Sequence, residues 1–289
     1  MSWRTVVIAN RCKLDLSMGY MVVRGEETMR VFLDELAVLI IENCAVSMTG
    51  CLLSALTEKK VKVIFCDEKR NPSSELIPYY GNYDSAKKIR SQIAWTESCK
   101  GAVWTEIVTE KISNQAKHLV FLKADEAAVL LREYISQIQY NDSTNREGHA
   151  AKVYFNALFG GKFTRGQENS TNAALNYGYS LLLSLFNREI TANGYLTQLG
   201  IHHENSFNAF NLSSDLMEPF RVLIDQKVVE MQPNEFTTEE KHELLGLMAK
   251  ELVIGNNKQV LPNAVKIYVR SVLDALNFGE ISLIQFAEI

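Results

Sequence analysis

Val61-Lys-Val-Ile-Phe-Cys66 is a short apolar, partly β-branched run, and Asp67-Glu-Lys-Arg-Asn71-Pro72-Ser73-Ser74 breaks it, with Pro78 and Gly81-Asn82 close behind. That change of texture decides the fold class. Upstream, apolar residues come in brief runs with a period near two, as strands require. Downstream they recur at three and four, as helices require. Proline, glycine, asparagine and serine between 67 and 84 interrupt both patterns, so this stretch reads as a connection. The chain is therefore expected to be α+β: a small N-terminal β-rich domain over 1–70, a linker over 71–84, and a larger all-helical C-terminal domain over 85–289.

Within the first part, Thr5–Asn10, Lys13–Met18, Tyr20–Arg24, Thr28–Leu33, Ala37–Ile41 and Val61–Cys66 read as strands, with a turn at Met18-Gly19. Ser47–Lys59 reads as a helix through Leu52, Leu53 and Leu56. In the second part, helices are expected over Ser85–Thr109, Ala124–Gln139, Arg146–Leu158, Thr171–Asn193, Glu218–Glu230, Glu239–Val253 and Leu261–Leu276.

Composition excludes more than it identifies. The 289 residues are 47% apolar and 22% charged, which rules out bulk disorder. The longest apolar run, Leu36–Ile41, is far below the roughly 20 residues of a membrane helix. The N-terminal Met-Ser-Trp-Arg lacks the apolar core of a secretory signal, so a cytoplasmic protein without a membrane partner is expected. Five cysteines (Cys12, Cys44, Cys51, Cys66 and Cys99) show no CxxC or zinc-like spacing and read as reduced, partly buried thiols. Thirty basic against 34 acidic residues give no basic half, so any nucleic-acid surface must be a local patch. Lys87, Lys88 and Arg90 read as an ordinary solvated helix face. Dinucleotide, P-loop, zinc-protease and nucleophile-elbow motifs are missing. Gly160-Gly161-Lys162 lacks the flanking residues of a phosphate loop and reads as a helix C-cap.

Three segments put acids and imidazoles in unusual settings. In Arg146-Glu-Gly-His-Ala-Ala-Lys-Val-Tyr-Phe155, Glu147 is either a first-turn carboxylate favoured by the helix dipole or a ligand. In Leu199-Gly-Ile-His-His-Glu-Asn205, adjacent histidines follow a glycine in a loop, and in extended backbone only one of the two would face a given site. In Leu212-Ser-Ser-Asp-Leu-Met-Glu-Pro-Phe-Arg221, Asp215 and Glu218 lie one turn apart, and Ser214 or Asp215 could cap a helix in which Pro219 is tolerated. Together, one imidazole and two carboxylates form a donor set for one Mg²⁺ or Mn²⁺ ion, the imidazole favouring Mn²⁺.

At these residues the chain resembles the CRISPR-associated integrase of spacer acquisition, the larger of the two universal adaptation proteins. The resemblance covers nearly the whole length. It includes Val63-Ile-Phe-Cys-Asp67, the Glu147 helix, Asn172-Ala-Ala-Leu-Asn-Tyr-Gly-Tyr179, Gly200-Ile-His-His203 and Asp215-Leu-Met-Glu-Pro-Phe-Arg221. Its wording is most similar to the type II branch. The resemblance implies that Glu147, His203 and Glu218 bind Mg²⁺ or Mn²⁺ and carry catalysis, while His202 has no metal role. It implies a supporting position for Asp215, and Tyr177 and Asn172 as residues positioning a DNA 3′ end. Arg146 and Arg165 are phosphate partners on chemistry alone.

As an activity, the resemblance implies a metal-dependent DNA integrase and endonuclease that inserts captured fragments as spacers by 3′-hydroxyl transesterification at repeat boundaries. The implied partners are double-stranded DNA with 3′ ends, leader–repeat DNA and a second copy forming a homodimer. A small ferredoxin-fold adaptation protein joins two such dimers through a dimer of its own. The type II effector nuclease and an accessory adaptation protein are further candidates. Two other readings stand beside this: a non-catalytic DNA-bridging scaffold, and a metal-dependent nuclease without integration.

Overall fold

The computed structural model describes residues 4–77 and 83–289; Pro78, Gly81-Asn82 and the first three residues of the N-terminal reading lie outside the described residues. The chain opens with β1 (Arg4–Ile8), β2 (Lys13–Ser17), β3 (Tyr20–Arg24), β4 (Thr28–Phe32), β5 (Leu36–Ile41) and a short β6 (Ser47–Met48). Helix α1 (Gly50–Glu58), β7 (Lys62–Cys66) and β8 (Pro72–Leu76) follow. One sheet has the order β1-β5-β7-β8 and the other β4-β3-β2-β6. In the first, β5 runs parallel to both β1 and β7. The β2–β3 hairpin turns at Met18-Gly19, both with positive φ, as a two-residue hairpin turn demands.

Leu36–Ile41 is apolar without alternation because the first sheet is covered on both faces. Val38, Ile40 and Ile64 join the core of the helical part. Leu39, Ile41 and Val63 point the other way, into a second core with Leu14 and Met21 of the other sheet and Leu52 and Leu56 of α1. Part of the stretch read as a linker is strand: β8 pairs antiparallel with β7 and closes that edge of the sheet. Pro72 is tolerated because it starts an edge strand, where no ladder partner needs its missing N–H.

The rest is mostly helical: α2 (Ser85–Ile93), α3 (Glu97–Phe121), α4 (Asp125–Ser136), α5 (Arg146–Phe159), α6 (Ser170–Ala192), α7 (Asn211–Leu216), α8 (Arg221–Met231), α9 (Thr238–Gly246) and α10 (Leu261–Phe278). The expected helix 85–109 is two helices. Thr96 accepts from the Cys99 N–H and starts α3 afresh, while Trp95 drops between them onto Tyr195 and donates to Asn277 Oδ1 at 3.1 Å. The expected helix 239–253 stops at Gly246 and gives way to a hairpin of β9 (Glu251–Ile254) and β10 (Asn257–Val260). Its turn is Gly255-Asn256, with φ of 57° and 63° at the two central positions. Gly160 ends α5 with φ 89°, which bears out the capping reading of Gly160-Gly161. All five cysteines are free, as expected, although Cys44 and Cys51 are exposed rather than partly buried.

Helix α3, about 37 Å long at 1.5 Å per residue, packs against α4, α5, α8 and α10. It carries buried Val103, Trp104, Ile107, Val108, Ile112, Ala116 and Leu119, and Lys111 lies among them. That lysine is the hub of the site.

Candidate active site

Glu147 enters from the first turn of α5. The helix end does not need its side chain: Asp142 accepts the N–H groups of Arg146 (2.7 Å) and Glu147 (2.9 Å), and Asn145 accepts that of Gly148 (3.2 Å). With capping done by Asp142 and Asn145, the Glu147 carboxylate is free to turn inward, and its Oε1 lies 2.5 Å from Lys111 Nζ.

Glu218 enters from the opposite side, in the single 3₁₀ turn Glu218–Phe220 between α7 and α8. It is buried; its Oε1 accepts from Arg221 Nε at 2.8 Å and its Oε2 lies 2.5 Å from Lys111 Nζ. That Oε2 contact has the distance of an ion pair without hydrogen-bond alignment. Burial would push the Glu218 carboxyl up, but the Arg221 and Lys111 charges outweigh it and hold it down at about 2. Burial also works against the Lys111 charge, and Glu218 and Glu147 reverse that, so its pKa is raised.

Asp215 is no helix cap. It sits near the C-terminal end of α7, fully buried, and its carboxylate organises the histidine loop. Oδ2 accepts the N–H groups of Ile201 (2.8 Å) and His202 (3.0 Å), and Oδ1 accepts the N–H of His203 (3.2 Å) and bonds His203 Nδ1. A side chain on Gly200 would collide with the His203 carbonyl and come within 2.8 Å of Asp215 Oδ2, so only glycine lets the loop close so tightly. The hydrogen bond to Asp215 raises the His203 pKa against desolvation, and Glu218 and Glu147 add to the rise from a greater distance. With Nδ1 tied to Asp215, Nε2 is the nitrogen left for another partner. His202 points elsewhere, stacked on buried Trp104 at 4.2 Å, and Trp104 also meets His203 edge-on at 5.7 Å.

The structure thus brings Glu147 and Glu218 to one ammonium and sets His203 within electrostatic reach of both. Two carboxylates and an imidazole nitrogen are an oxygen-rich donor set that suits Mg²⁺ or Mn²⁺, and buried Glu218 Oε2 has a lone pair no hydrogen bond uses. As the side chains stand, no three His, Cys, Asp or Glu among the described residues surround a common point as ligands do. Lys111 occupies the middle instead.

The other candidates divide into two groups. Arg165 donates to Asn172 Oδ1 (2.5 Å) and Asn176 Oδ1 (2.6 Å), while Asn172 Nδ2 donates to the Thr164 and Gln167 carbonyls. Asn172 therefore holds the loop that presents Arg165. Arg165 and Arg221 both lie over the Tyr179 ring, at 5.3 and 4.7 Å, so these residues adjoin the acids through Arg221. Tyr177, two residues earlier on α6, faces away and contacts Phe236 and Lys241. Arg146 lies over Tyr134 at 5.5 Å. Beside His203 an open cavity of about 590 Å³ is lined by Gln92, Lys100, Asn205 and Phe207. The Phe207 side chain is 99% exposed.

Sequence reading missed Lys111, Arg221, Tyr179 and Phe207. A signal existed for Lys111, which falls on the apolar stripe Val103–Ile107–Ile112–Leu119, where a lysine needs a buried partner. Nothing local marked Tyr179 over Tyr177; helix phase relative to α8 decides between them.

The family model for CRISPR associated protein Cas1 matches residues 5–256. The CRISPR-associated endonuclease Cas1 of Neisseria meningitidis serogroup C (strain 8013) is 39% identical over 232 residues, covering 80% of this chain and 76% of its own. Among solved structures, a casposase bound to integration product superposes with a TM-score of 0.75 at 14% identity, covering 96% of this chain and 91% of that one. A chain of a Cas6-RT-Cas1–Cas2 complex gives 0.75 at 18% identity, covering 97% of this chain but only 36% of that longer one. A β-rich region followed by helices, the tight Gly200 loop and the Asp215–Arg221 turn all lie within the matched span. The chain belongs to the CRISPR-associated Cas1 family.

Proposed function

We propose that this protein is a divalent-metal-dependent DNA integrase and endonuclease, which joins captured fragments into a CRISPR array as new spacers by 3′-hydroxyl transesterification at repeat boundaries. The approach of Glu147 and Glu218 to one ammonium, with His203 within electrostatic reach of both, carries this reading. The endonuclease name of the Neisseria relative and the integration product held by the casposase support it.

Glu147, Glu218 and His203 Nε2 would hold Mg²⁺ or Mn²⁺, which when bound polarises a phosphodiester and stabilises charge on phosphorus during in-line attack. Asp215 holds His203 in the tautomer that leaves Nε2 bare. Arg221 keeps Glu218 ionised and, with Arg165 across Tyr179, offers guanidinium donors to backbone phosphates. Phe207, fully exposed beside the His203 cavity, is placed to stack on a base. Exchanging one phosphodiester for another needs no nucleotide hydrolysis. By extension from the Cas1–Cas2 complex, the partner is a small Cas2-like protein, and in the proposed assembly its dimer joins two dimers of this chain. No helix among the described residues is long and apolar enough to cross a membrane.

The test is strand transfer of an end-labelled duplex with free 3′-hydroxyls into a plasmid carrying a leader and one repeat, with the Cas2-like partner present. Label joined at the repeat boundary, abolished by EDTA and reduced roughly a thousandfold or more by Glu218→Ala, is the expected result. Joining that survives both treatments overturns the metal site. Tight DNA binding without joining favours a bridging scaffold, and cleavage without joining favours a nuclease.

A further inference from the structure

We infer that Lys111 is an internal substitute for the metal ion: its ammonium neutralises Glu147 and Glu218 in the metal-free protein, and a divalent cation binds by displacing it. This rests on the metal reading of the site proposed above and concerns a residue that reading does not use.

Lys111 Nζ lies 2.5 Å from Glu147 Oε1 and 2.5 Å from Glu218 Oε2, on carboxylates supplied by α5 and by the turn after α7. A divalent ion held by these two carboxylates would compete with the ammonium for their oxygens. The ammonium and the ion would then claim one position, so one must leave. The link to Glu218 Oε2 is an ion pair, and the Arg221 hydrogen bond to Oε1 can stay in place when it breaks. A flexible lysine stem can withdraw its charge by rotation, which a rigid guanidinium fork does less easily.

Charge balance gives the exchange a purpose. Lys111 and Arg221 match Glu147 and Glu218 charge for charge, so the buried cluster is neutral without metal. With Lys111 displaced, a divalent ion beside Arg221 and the two carboxylates leaves one positive charge over. A phosphodiester monoanion matches that excess. The site therefore stays stable when empty of substrate and becomes cationic only when loaded for phosphate chemistry.

The experiment titrates Mn²⁺ into the full-length protein, followed by the electron paramagnetic resonance signal of the free ion, for wild type, Lys111→Met and Lys111→Gln. The variants are expected to bind Mn²⁺ at least about tenfold more tightly, because the competing charge is gone. They are also expected to melt lower without metal and to gain more from Mn²⁺ than wild type does. Equal or weaker Mn²⁺ binding by folded variants overturns the inference and leaves the metal site standing. No Mn²⁺ uptake by any protein overturns the metal site as well. A crystal structure of the wild type grown with Mn²⁺ covers the case in which both variants fail to fold. Mn²⁺ between the carboxylates with Lys111 Nζ moved away supports exchange, and Mn²⁺ elsewhere with the lysine still bridging refutes it.

Discussion

Glu218 and Asp225 are both buried carboxylates, seven residues apart on either side of Arg221, yet they titrate in opposite directions. Glu218 has two cations against its oxygens and is held at about 2. Asp225 is pushed up by burial to about 6, although the Tyr179 and Tyr154 hydroxyls bond it and Arg221 lies near. Tyr154 passes the contact on to His118 Nδ1 at 2.7 Å, and burial and Lys250 lower that imidazole to about 4. One region is therefore a cluster of compensated charges, the other a chain of hydroxyls around groups that approach neutrality. The hydroxyl hydrogen bonds offset only part of the desolvation at Asp225, whereas the cations in contact with Glu218 more than offset it.

Arg221→Met tests that lesson most severely. It removes one of the two cations from Glu218 and leaves a buried charge half compensated. The expected loss is about 3 kcal/mol or more of unfolding free energy, read by urea denaturation at pH 7. A variant as stable as wild type would show that Lys111 alone suffices. Asp225→Asn probes the other region through pH. Because the folded pKa is raised from 3.8 to about 6, the native state binds more protons between those values, and stability falls as pH rises through that window. The asparagine variant lacks this slope, worth at most about 3 kcal/mol, and the comparison needs only urea midpoints at pH 4.5 and pH 7. An unchanged slope would reassign the proton uptake. Glu218 contributes with the opposite sign, its stabilisation present above the usual glutamate range and lost as pH falls toward 2.

The smallest effect is expected at Asp215→Asn. It leaves an acceptor for the loop N–H groups but weakens the bond that orients His203, so Mn²⁺ affinity should fall roughly 10- to 100-fold. Because Asp215 raises the His203 pKa, the pair stabilises the wild type below pH 6.5, and that contribution disappears as pH climbs through the raised value. Metal binding to Nε2 needs the neutral ring, so wild-type Mn²⁺ affinity should weaken as pH drops through the same value, whereas the variant should hold its affinity to lower pH. Identical pH profiles would show that Asp215 acts on the backbone loop alone.

Strand positions, the Met18-Gly19 turn and most helices were legible in the chain because each leaves a local mark, whereas Glu147, His203, Asp215 and Glu218 were singled out as segments and given roles only by the family resemblance. Period-two runs, turn chemistry and a glycine with two histidines need no distant partner to be noticed. The misses share a cause. Thr96 is a local signal that a continuing apolar period overrode, and the same period carried the expected helix through Glu251–Val253, which is strand leading into the Gly255-Asn256 turn. β8 formed because β7 offered an open edge to Pro72–Leu76, which no property of those residues announces.

The site divides along the same line. Residue chemistry offered two carboxylates and an imidazole as a donor set for an oxygen-preferring metal beside capping and surface readings, and the family resemblance selected Glu147, His203 and Glu218. Only the folded chain decided that Asp142 and Asn145 cap α5 in place of Glu147, that Asp215 serves the histidine loop, and that Tyr179 rather than Tyr177 meets Arg221. It also decided that Lys111 bridges the acids. The reason is physical: a buried charge is stabilised by whatever partner lies within a few ångströms, and three helices separated by tens of residues must pack before that partner exists.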